Sequence, residues 1–156
     1  MTTIAVALNN GERPASMACD LQMTYGGNIK MKTASKILEI TGDNAKKLFD
    51  CERVFVGFSG NTSAWAAAVG WFTIPEGKPP RVGQNLELLL LTNNKEIMHS
   101  NDLIHWTAIK DKFFAIGSGT AFAISALELG KTPKEAVLFA SKRDVYTGMG
   151  TKEYML

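Results

Sequence analysis

Short apolar runs rich in β-branched residues, separated by turn residues, dominate the first third of the chain. Such runs occupy Thr3–Leu8, Ala15–Asp20, Lys36–Ile40 and Arg53–Phe58, and this pattern is typical of strands. The first two runs flank Asn9–Pro14, whose Asn, Gly and Pro residues predict a turn. The pattern therefore predicts that the fold begins with a hairpin.

The period of the pattern changes after Asn61. The Ala-rich segment Thr62–Phe72 predicts a buried helix, with Asn61 or Thr62 as its cap. Ile74–Gln84 contains several prolines and is expected to be a loop, whereas Leu86–Leu91 is expected to be a core strand. The polar stretch Thr41–Lys47 is assigned to no helix or strand.

Two further helices are expected in the last third of the chain. Ser118–Leu129 has apolar residues at helical spacing and is followed by Gly130, a common helix stop. Thr132–Glu135 offers a Thr cap, Pro at the first helical position and Glu closing a capping box. The helix that it opens should run to about Arg143, and Gly148–Leu156 returns to loop and strand.

Blocks of strands joined by short turns favour antiparallel sheets with helices layered outside them. The 156 residues show no internal repeat or linker, so residues 1–156 are expected to form one α+β domain. The net charge is only +2 and the basic residues are spread out, so nucleic acid is not expected as a partner. No apolar run approaches the roughly 20 residues of a membrane span, and no secretory signal begins the chain. We therefore expect a cytoplasmic protein that does not enter the membrane.

The residue types available for catalysis are few. The only histidines are His99 and His105, and Cys19 and Cys51 have no metal-ligand spacing, so neither a histidine-based triad nor a structural zinc site is supported. An N-terminal threonine needs no histidine, because its own α-amine can act as base with a pKa of about 7.7–8.0. Met1 precedes the small residue Thr2, a context in which the initiator Met is commonly removed. A Met-Thr start is common, however, so the hypothesis depends on the rest of the chain.

Several segments, in order along nearly the whole chain, resemble proteasome β subunits and HslV, the bacterial two-ring threonine peptidase. Thr2–Val6 looks like the mature start of these proteins, and Ala18–Asp20 resembles the end of their second strand. The remaining similar segments are the Gln22–Thr24 loop, the Ser35–Ile40 strand, Gly57–Gly60, Ala115–Gly119 and Arg143–Gly148. The resemblance implies a four-layer αββα sandwich of the N-terminal-nucleophile (Ntn) hydrolase type, with two antiparallel sheets and one helix layer reduced.

The resemblance also implies catalytic roles. Thr2 would attack the scissile carbonyl, Lys36 would place a positive charge beside the Thr2 hydroxyl, and Asp20 would pair with Lys36. The backbone N–H of Gly60 would form the oxyanion hole. A hydrogen-bonded cluster that orients the terminal amine would consist of Ser118, Asp144 and Thr147.

Substrate contacts follow from the same resemblance. Thr24 and Gly60 would pair with an extended peptide as an added strand. A specificity pocket would be lined by Met23, Ala34, Leu38, Phe58 and Thr62. These side chains are mostly apolar, which predicts hydrolysis after apolar residues.

Each of these residues also has a plainer interpretation. Asp20 could stabilise a strand end or turn, Lys36 could be solvated on an outer face, and Gly60 could be a turn glycine. Ser118 could be only a helix cap, and Asp144 only a partner of Arg143. Leu38 and Phe58 could be ordinary core residues. The joint pattern, not any single residue, supports a catalytic site.

The sequence also departs from the family's pattern. The first hairpin, Asn9–Pro14, is longer, and Asn101–Lys110 resembles an insertion. The family has two long helices after the position of Gly60, but the prolines of Ile74–Gln84 leave room for one. In the family, that helix pair helps to build rings.

Three functions remain open at this point. The first is a threonine-type endopeptidase without metal or organic cofactor, acting on peptides or unfolded proteins. It would work as a homo-oligomer, which could form rings and take substrate from an ATP-dependent unfoldase. The second is a non-catalytic, proteasome-like scaffold or assembly subunit. The third is a small-molecule amidohydrolase with the same nucleophile chemistry.

Overall fold

The computed structural model describes residues 1–8 and 11–156, so the part of the expected turn at Asn9 and Asn10 lies outside the described residues. Within them, the order of elements is β1 (Thr3–Ala7), β2 (Ser16–Asp20), β3 (Gln22–Tyr25), β4 (Ile29–Lys32), β5 (Ile37–Thr41), α1 (Gly42–Phe49), β6 (Arg53–Gly60), α2 (Thr62–Thr73), β7 (Leu86–Thr92), β8 (Ile97–Ser100), β9 (Thr107–Ile109), β10 (Phe113–Gly117), α3 (Thr120–Glu128), α4 (Pro133–Ala140) and β11 (Thr151–Met155).

Two antiparallel sheets form the centre of the molecule. One has four strands in the order β10-β1-β2-β11, and the other has five in the order β5-β6-β7-β8-β9. The ribbon β3–β4 forms a separate two-stranded antiparallel sheet. Strand β1 is central in its sheet, with β10 on one side and β2 on the other. Thr2, the residue before β1, therefore lies at the end of a strand that is paired on both sides.

Successive side chains of each strand point to opposite faces of its sheet. One face carries the apolar side chains that pack against the other sheet. In β1, Ile4 and Val6 face the opposite sheet, whereas Ala5 faces the helices. The side chains buried between the sheets include Ile4, Val6, Met17, Ile37, Phe55, Leu89, Leu91 and Ile116. These residues form a shared core that fixes the position of one sheet relative to the other.

Helices cover the outer face of each sheet. Helices α3 and α4 pack on the four-stranded sheet through small side chains, among them Ala5, Ala18, Ala115, Ala123 and Ala136. Helices α1 and α2 lie on the five-stranded sheet, over larger side chains that include Val54, Val56, Phe72, Leu88 and Leu90. The four layers are therefore helix, sheet, sheet and helix, which confirms the predicted α+β sandwich.

The predicted helices exist, but some of their ends differ. Asn61 caps α2, because its Oδ1 accepts a hydrogen bond from Ser63 N at 2.8 Å. The capping box of α4 is present, with Thr132 Oγ1 accepting from Glu135 N and Glu135 Oε2 accepting from Thr132 N. Helix α4 nevertheless ends at Ala140 and continues only as turns to Arg143, and α3 begins at Thr120 rather than Ser118.

One helix was missed: the assignment of no element to Thr41–Lys47 is wrong, since α1 covers Gly42–Phe49. Its apolar residues Ala45, Leu48 and Phe49 have helical spacing and pack on the core, but Leu48 and Phe49 lie beyond the polar stretch. Asp43 in the first turn and Lys46 and Lys47 in the last turn suit the helix dipole. The layer on the five-stranded sheet therefore holds two of the described helices, one before and one after β6 along the chain.

The structure describes two of the segments in which the sequence departs from the family's pattern. Ile74–Gln84 forms neither helix nor strand, as its prolines predict. Asn101–Lys110 carries β9, the outermost strand of the larger sheet. Among the described residues, no helix is both long and apolar enough to cross a membrane.

Two glycine substitutions test the stacking of the sheets. A Cβ at Gly57 would lie 2.7 Å from Ile4 Cγ2 and 3.2 Å from Met17 Sδ, between the sheets. We expect Gly57→Ala to destabilise the protein by about 1–3 kcal/mol, because both neighbours must shift. A Cβ at Gly70 in α2 would meet no atom within 4 Å, so Gly70→Ala should stabilise by about 0.5–1 kcal/mol. Urea unfolding of both variants measures the two changes, and equal effects would contradict the packing described.

Candidate functional site

Thr2, Asp20 and Lys36 meet at one end of the sandwich. Thr2 precedes β1 and Asp20 ends β2, and the antiparallel register, with Ile4 opposite Cys19, puts these two residues at the same end. Lys36 precedes β5 in the other sheet, where its carbonyl accepts a hydrogen bond from Phe58 N at 3.1 Å. All three residues are buried, with exposures of 2%, 0% and 4% respectively.

Lys36 joins the two sheets through its side chain. Its Nζ lies 2.9 Å from Asp20 Oδ1 and also donates to Thr2 Oγ1 and to the Gln22 carbonyl. Burial lowers the pKa of Lys36, and the charge of Asp20 opposes that shift. The interpretation of Lys36 as a solvated outer-face residue is therefore wrong.

The Asp20 carboxylate is saturated with donors. Its Oδ1 accepts from Thr3 N at 3.0 Å and from the Thr2 hydroxyl, in addition to Lys36. Its Oδ2 accepts from Gln22 N and Gly148 N, each at 3.1 Å. A charge at 0% exposure is tolerable only with such partners. Asp20 thus stabilises the strand end, as its plainer interpretation holds, and also contacts Lys36 and Thr2.

A second polar cluster lies on the other side of the Thr2 backbone. Asp144 Oδ2 accepts from Ser118 Oγ at 2.6 Å and from Thr147 Oγ1 at 2.5 Å. Ser118 Oγ also donates to the Thr2 carbonyl at 3.3 Å, and Thr147 Oγ1 lies 2.6 Å from Thr3 Oγ1. Ser118 is not the cap of α3, because the cap position is occupied by the next residue along the chain. Asp144 is buried rather than on a solvated face.

The Met1 amine is influenced by both clusters. Burial is the main cause that lowers its pKa, followed by the positive charge of Lys36, while Asp20 and Asp144 act in the opposite direction. The amine is therefore easier to deprotonate than a solvated one. A basic group at the position of the Met1 amine would be affected by the same burial and the same neighbouring charges.

Two glycines near Thr2 allow backbone segments to approach each other closely. Gly60, the last residue of β6, has φ +119°, and a Cβ there would lie 2.0 Å from the Asn85 carbonyl oxygen. Gly117, the last residue of β10, has φ +96°, and a Cβ there would lie 2.0 Å from the Thr2 carbonyl oxygen. At both positions the positive φ and the contact with a neighbouring carbonyl oxygen favour glycine. Gly117 was missed as a site residue, although it stands within the Ala115–Gly119 segment.

A cavity of about 230 Å³ opens beside Thr2. It is lined by Met1, Thr2, Gln22, Met23, Thr24, Thr33, Lys36, Phe58, Gly60, Asn61 and Thr62. Phe58 forms part of its wall and stacks on Trp65, with ring centroids 4.3 Å apart and planes 8° from parallel. Four of the residues expected at the substrate, Met23, Thr24, Phe58 and Thr62, therefore surround one space next to Thr2.

Two residues expected in this pocket do not line it. Leu38 packs on the core beneath α1 and α2, because alternation in β5 turns it to the helix side, and Ala34 is exposed before β5. Gln22, Thr33 and Asn61 line the cavity and were missed. Gln22 is 2% exposed, and its Nε2 donates to the Val145 carbonyl at 2.9 Å. The only signal for Gln22 in the sequence was its position two residues after Asp20. The sequence contained no signal for Thr33.

The C-terminal strand braces the Lys36 segment. Tyr154 on β11 places its hydroxyl 2.9 Å from Ser35 Oγ, which in turn accepts from Ile37 N at 3.1 Å. The same strand pairs with β2, with Thr151 opposite Asp20. Asp20 and Lys36 are thus both supported by β11. In the part of the chain that the structure describes, no group of three His, Cys, Asp or Glu side chains is arranged to hold a metal ion.

Asp20→Asn tests how far the site depends on this carboxylate. Asparagine keeps one acceptor oxygen, turns an NH₂ group toward donors and leaves Lys36 without its counter-charge. We expect a loss of about 2–4 kcal/mol in the free energy of unfolding, measured with urea. The control Asp111→Asn, at an exposed turn, should change it by less than about 0.5 kcal/mol. Similar values for the two variants would contradict the role assigned to Asp20.

Solved structures with the same architecture include BPH, HslV and Anbu. BPH from Thiobacillus denitrificans superposes with a TM-score of 0.75 at 16% identity, over 99% of this chain and 97% of that one. HslV from Trypanosoma brucei gives 0.72 at 20% identity, over 98% of both chains. A Gly-1 mutant of Anbu from Hyphomicrobium sp. strain MC1 gives 0.75 at 12% identity, over all of this chain and 81% of that one. No protein-family model and no curated protein sequence matches the chain. At these identities the likeness concerns the backbone, and the chain has the Ntn-hydrolase fold of HslV and the proteasome-type subunits.

Proposed function

We propose that this chain is a threonine-type peptidase in which Thr2, freed by removal of Met1, is the nucleophile. The observation that carries the proposal is the contact of Thr2 Oγ1 with Lys36 Nζ, itself 2.9 Å from Asp20, at the wall of a cavity. A hydroxyl, an ammonium and a carboxylate buried together are the components that activate an N-terminal nucleophile. A subunit that only served as a scaffold would have no use for this arrangement.

Removal of Met1 creates the base. While Met1 is attached, Thr2 N belongs to a peptide bond and cannot accept a proton. The amine formed by its removal would lie one residue nearer to Lys36 than the Met1 amine does. Burial and the charge of Lys36 already lower the pKa of the Met1 amine. The same causes would lower the pKa of the Thr2 amine, and a larger fraction of it would be neutral at neutral pH.

The reaction would proceed in two steps. Thr2 Oγ1 attacks the scissile carbonyl carbon while its proton passes to the Thr2 amine, and Lys36 stabilises the developing alkoxide. The amine then gives that proton to the leaving nitrogen as the C–N bond breaks, which leaves an ester on Thr2. Water, deprotonated by the same amine, hydrolyses the ester and restores the hydroxyl. Ser118, Asp144 and Thr147 would hold the amine in position.

The backbone and the cavity would hold the substrate. The N–H of Gly60 would donate to the carbonyl oxygen as negative charge develops on it. Thr24 and Gly60, which both line the cavity, would pair with an extended peptide. Met23, Phe58 and Thr62 would receive an apolar side chain on the acyl side of the scissile bond.

The same proposal covers assembly and location. Residues 1–156 would act as one domain in a cytoplasmic homo-oligomer that shields the site, with a ring as one possible arrangement. Unfolded protein, supplied by an ATP-dependent unfoldase or entering unaided, would be the substrate. The fold shared with HslV and the proteasome-type subunits supports the homo-oligomer.

Covalent labelling by a peptide epoxyketone tests the nucleophile. A structure of BPH from Thiobacillus denitrificans in complex with epoxomicin has this fold, with a TM-score of 0.69 at 15% identity. We expect intact-mass measurement to show loss of Met1 and addition of one inhibitor molecule. Thr2→Ala also allows Met1 removal but should give no adduct, and Thr2→Ser should be labelled. Retained Met1 without any adduct would instead favour the scaffold function.

A panel of fluorogenic peptides that differ only in the residue before the scissile bond tests the pocket. We expect kcat/KM to be higher for Leu or Phe than for Asp or Lys by about 10-fold or more, since burial of one apolar side chain contributes about 1.5–3 kcal/mol. Phe58→Ala should reduce this preference, with Phe122→Ala on the opposite helix layer as control. Turnover of small amides but no peptides would point to an amidohydrolase, and preference for charged residues would refute the pocket assignment.

A further inference from the structure

The ribbon β3–β4 carries part of the cavity wall but belongs to neither of the two large sheets. It supplies Met23 and Thr24 to the lining of the cavity beside Thr2, and Thr33, which also lines that cavity, follows directly after β4. Among the described strands, its two strands pair only with each other. A two-stranded hairpin by itself is at best marginally stable. The position of this wall therefore depends on the contacts that hold the ribbon to the rest of the molecule.

The first residue of β3, Gln22, makes several of those contacts. Among the residues of the two strands, which the structure describes in full, Gln22 alone is buried, with an exposure of 2%. Its N–H donates to Asp20 Oδ2 at 3.1 Å, and its carbonyl oxygen accepts a hydrogen bond from Lys36 Nζ. The main chain of the ribbon is thus attached, at its first residue, to the two charged residues beside Thr2.

The side chain of Gln22 joins two further parts of the site. Its Nε2 donates to the Val145 carbonyl at 2.9 Å and to Thr24 Oγ1 at 3.2 Å, so both N–H groups of the amide have a partner. Val145 follows Asp144 directly, and a Cβ at Gly148 would lie 2.8 Å from Gln22 Oε1, so the amide is packed against the segment that carries the second polar cluster. One N–H group therefore holds Gln22 to the body of the protein, and the other holds Thr24.

We propose that Gln22 is a positioning residue, whose side-chain amide holds the ribbon β3–β4 where Thr24 can pair with an extended peptide. This inference rests on the proposed peptidase function and specifies its substrate class as peptides of several residues. The contacts of Thr2 with Lys36 and Asp20 do not use the Gln22 amide. Loss of the amide should therefore weaken the binding of long peptides and leave the nucleophile reactive.

Two fluorogenic substrates with the same residue before the scissile bond, one a single acetylated residue and the other a tetrapeptide, test the inference. In the wild-type protein we expect kcat/KM to be about 10-fold higher for the tetrapeptide, because strand pairing adds main-chain hydrogen bonds. Gln22→Met keeps the length of the side chain but has no donor. It should lower this ratio to about 1- to 3-fold, mainly by raising KM for the tetrapeptide. Thr24→Val removes the acceptor of one bond only and should lower the ratio by about 2-fold.

The ratio cancels any general loss of activity, and the epoxyketone adduct of Gln22→Met, measured by intact mass, should show that Thr2 is still reactive. The matched control is Gln84→Met, at the other glutamine of the chain, which is exposed, does not line the cavity beside Thr2 and should keep the wild-type ratio. A wild-type ratio near one, an unchanged ratio in Gln22→Met or an equal loss for both substrates would overturn the inference. If Gln22→Met does not fold, an unchanged ratio in Thr24→Val would overturn it. A wild-type protein that cleaves neither substrate and forms no adduct would count against the peptidase function itself.

Discussion

The buried carboxylate of Asp20 is the constraint on which the rest of the site depends. A negative charge without solvent must be surrounded by donors, and here they come from β1, from the segment after β2, from the Gly148 segment and from Lys36. These donors belong to distant parts of the sequence and to both sheets. Meeting the needs of one carboxylate therefore fixes the start of the chain next to a lysine from the opposite sheet.

The site is built at the end of a sandwich whose centre is entirely apolar. The stacked sheets hold Ile4, Phe55 and Leu89 between them, and such packing leaves little freedom for one sheet to shift against the other. Lys36 can reach Thr2 only because that stacking is fixed. The absence of a side chain at Gly117 lets the end of β10 lie against the Thr2 carbonyl, and Gly60 lines the cavity beside Thr2. The rigid core thus fixes the positions of Lys36 and Thr2 relative to each other at the end of the sandwich.

Most of the fold and part of the site could be predicted from the sequence. Strands and caps have local signals, such as the continuous apolar run of β6 and the Thr132–Glu135 box, and these were correct. Helix α1 was missed because its apolar face, formed by Ala45, Leu48 and Phe49, begins inside the polar stretch Thr41–Lys47 and ends beyond it. Leu38 and Ala34 were placed in the pocket by resemblance, but strand alternation directs Leu38 to the core. Gln22 had only a weak signal and Thr33 had none, because their positions at the cavity depend on contacts between strands far apart in sequence.

Met1 lines the cavity beside Thr2, and this has a consequence for when the molecule could begin to work. The sheets, the helices and the polar clusters are all complete with Met1 in place, so folding does not wait for its removal. Under the proposed chemistry a folded chain that still carries Met1 would be inactive. Removal of Met1 would then set the moment of activation, because it both uncovers the amine and empties the space that a substrate needs.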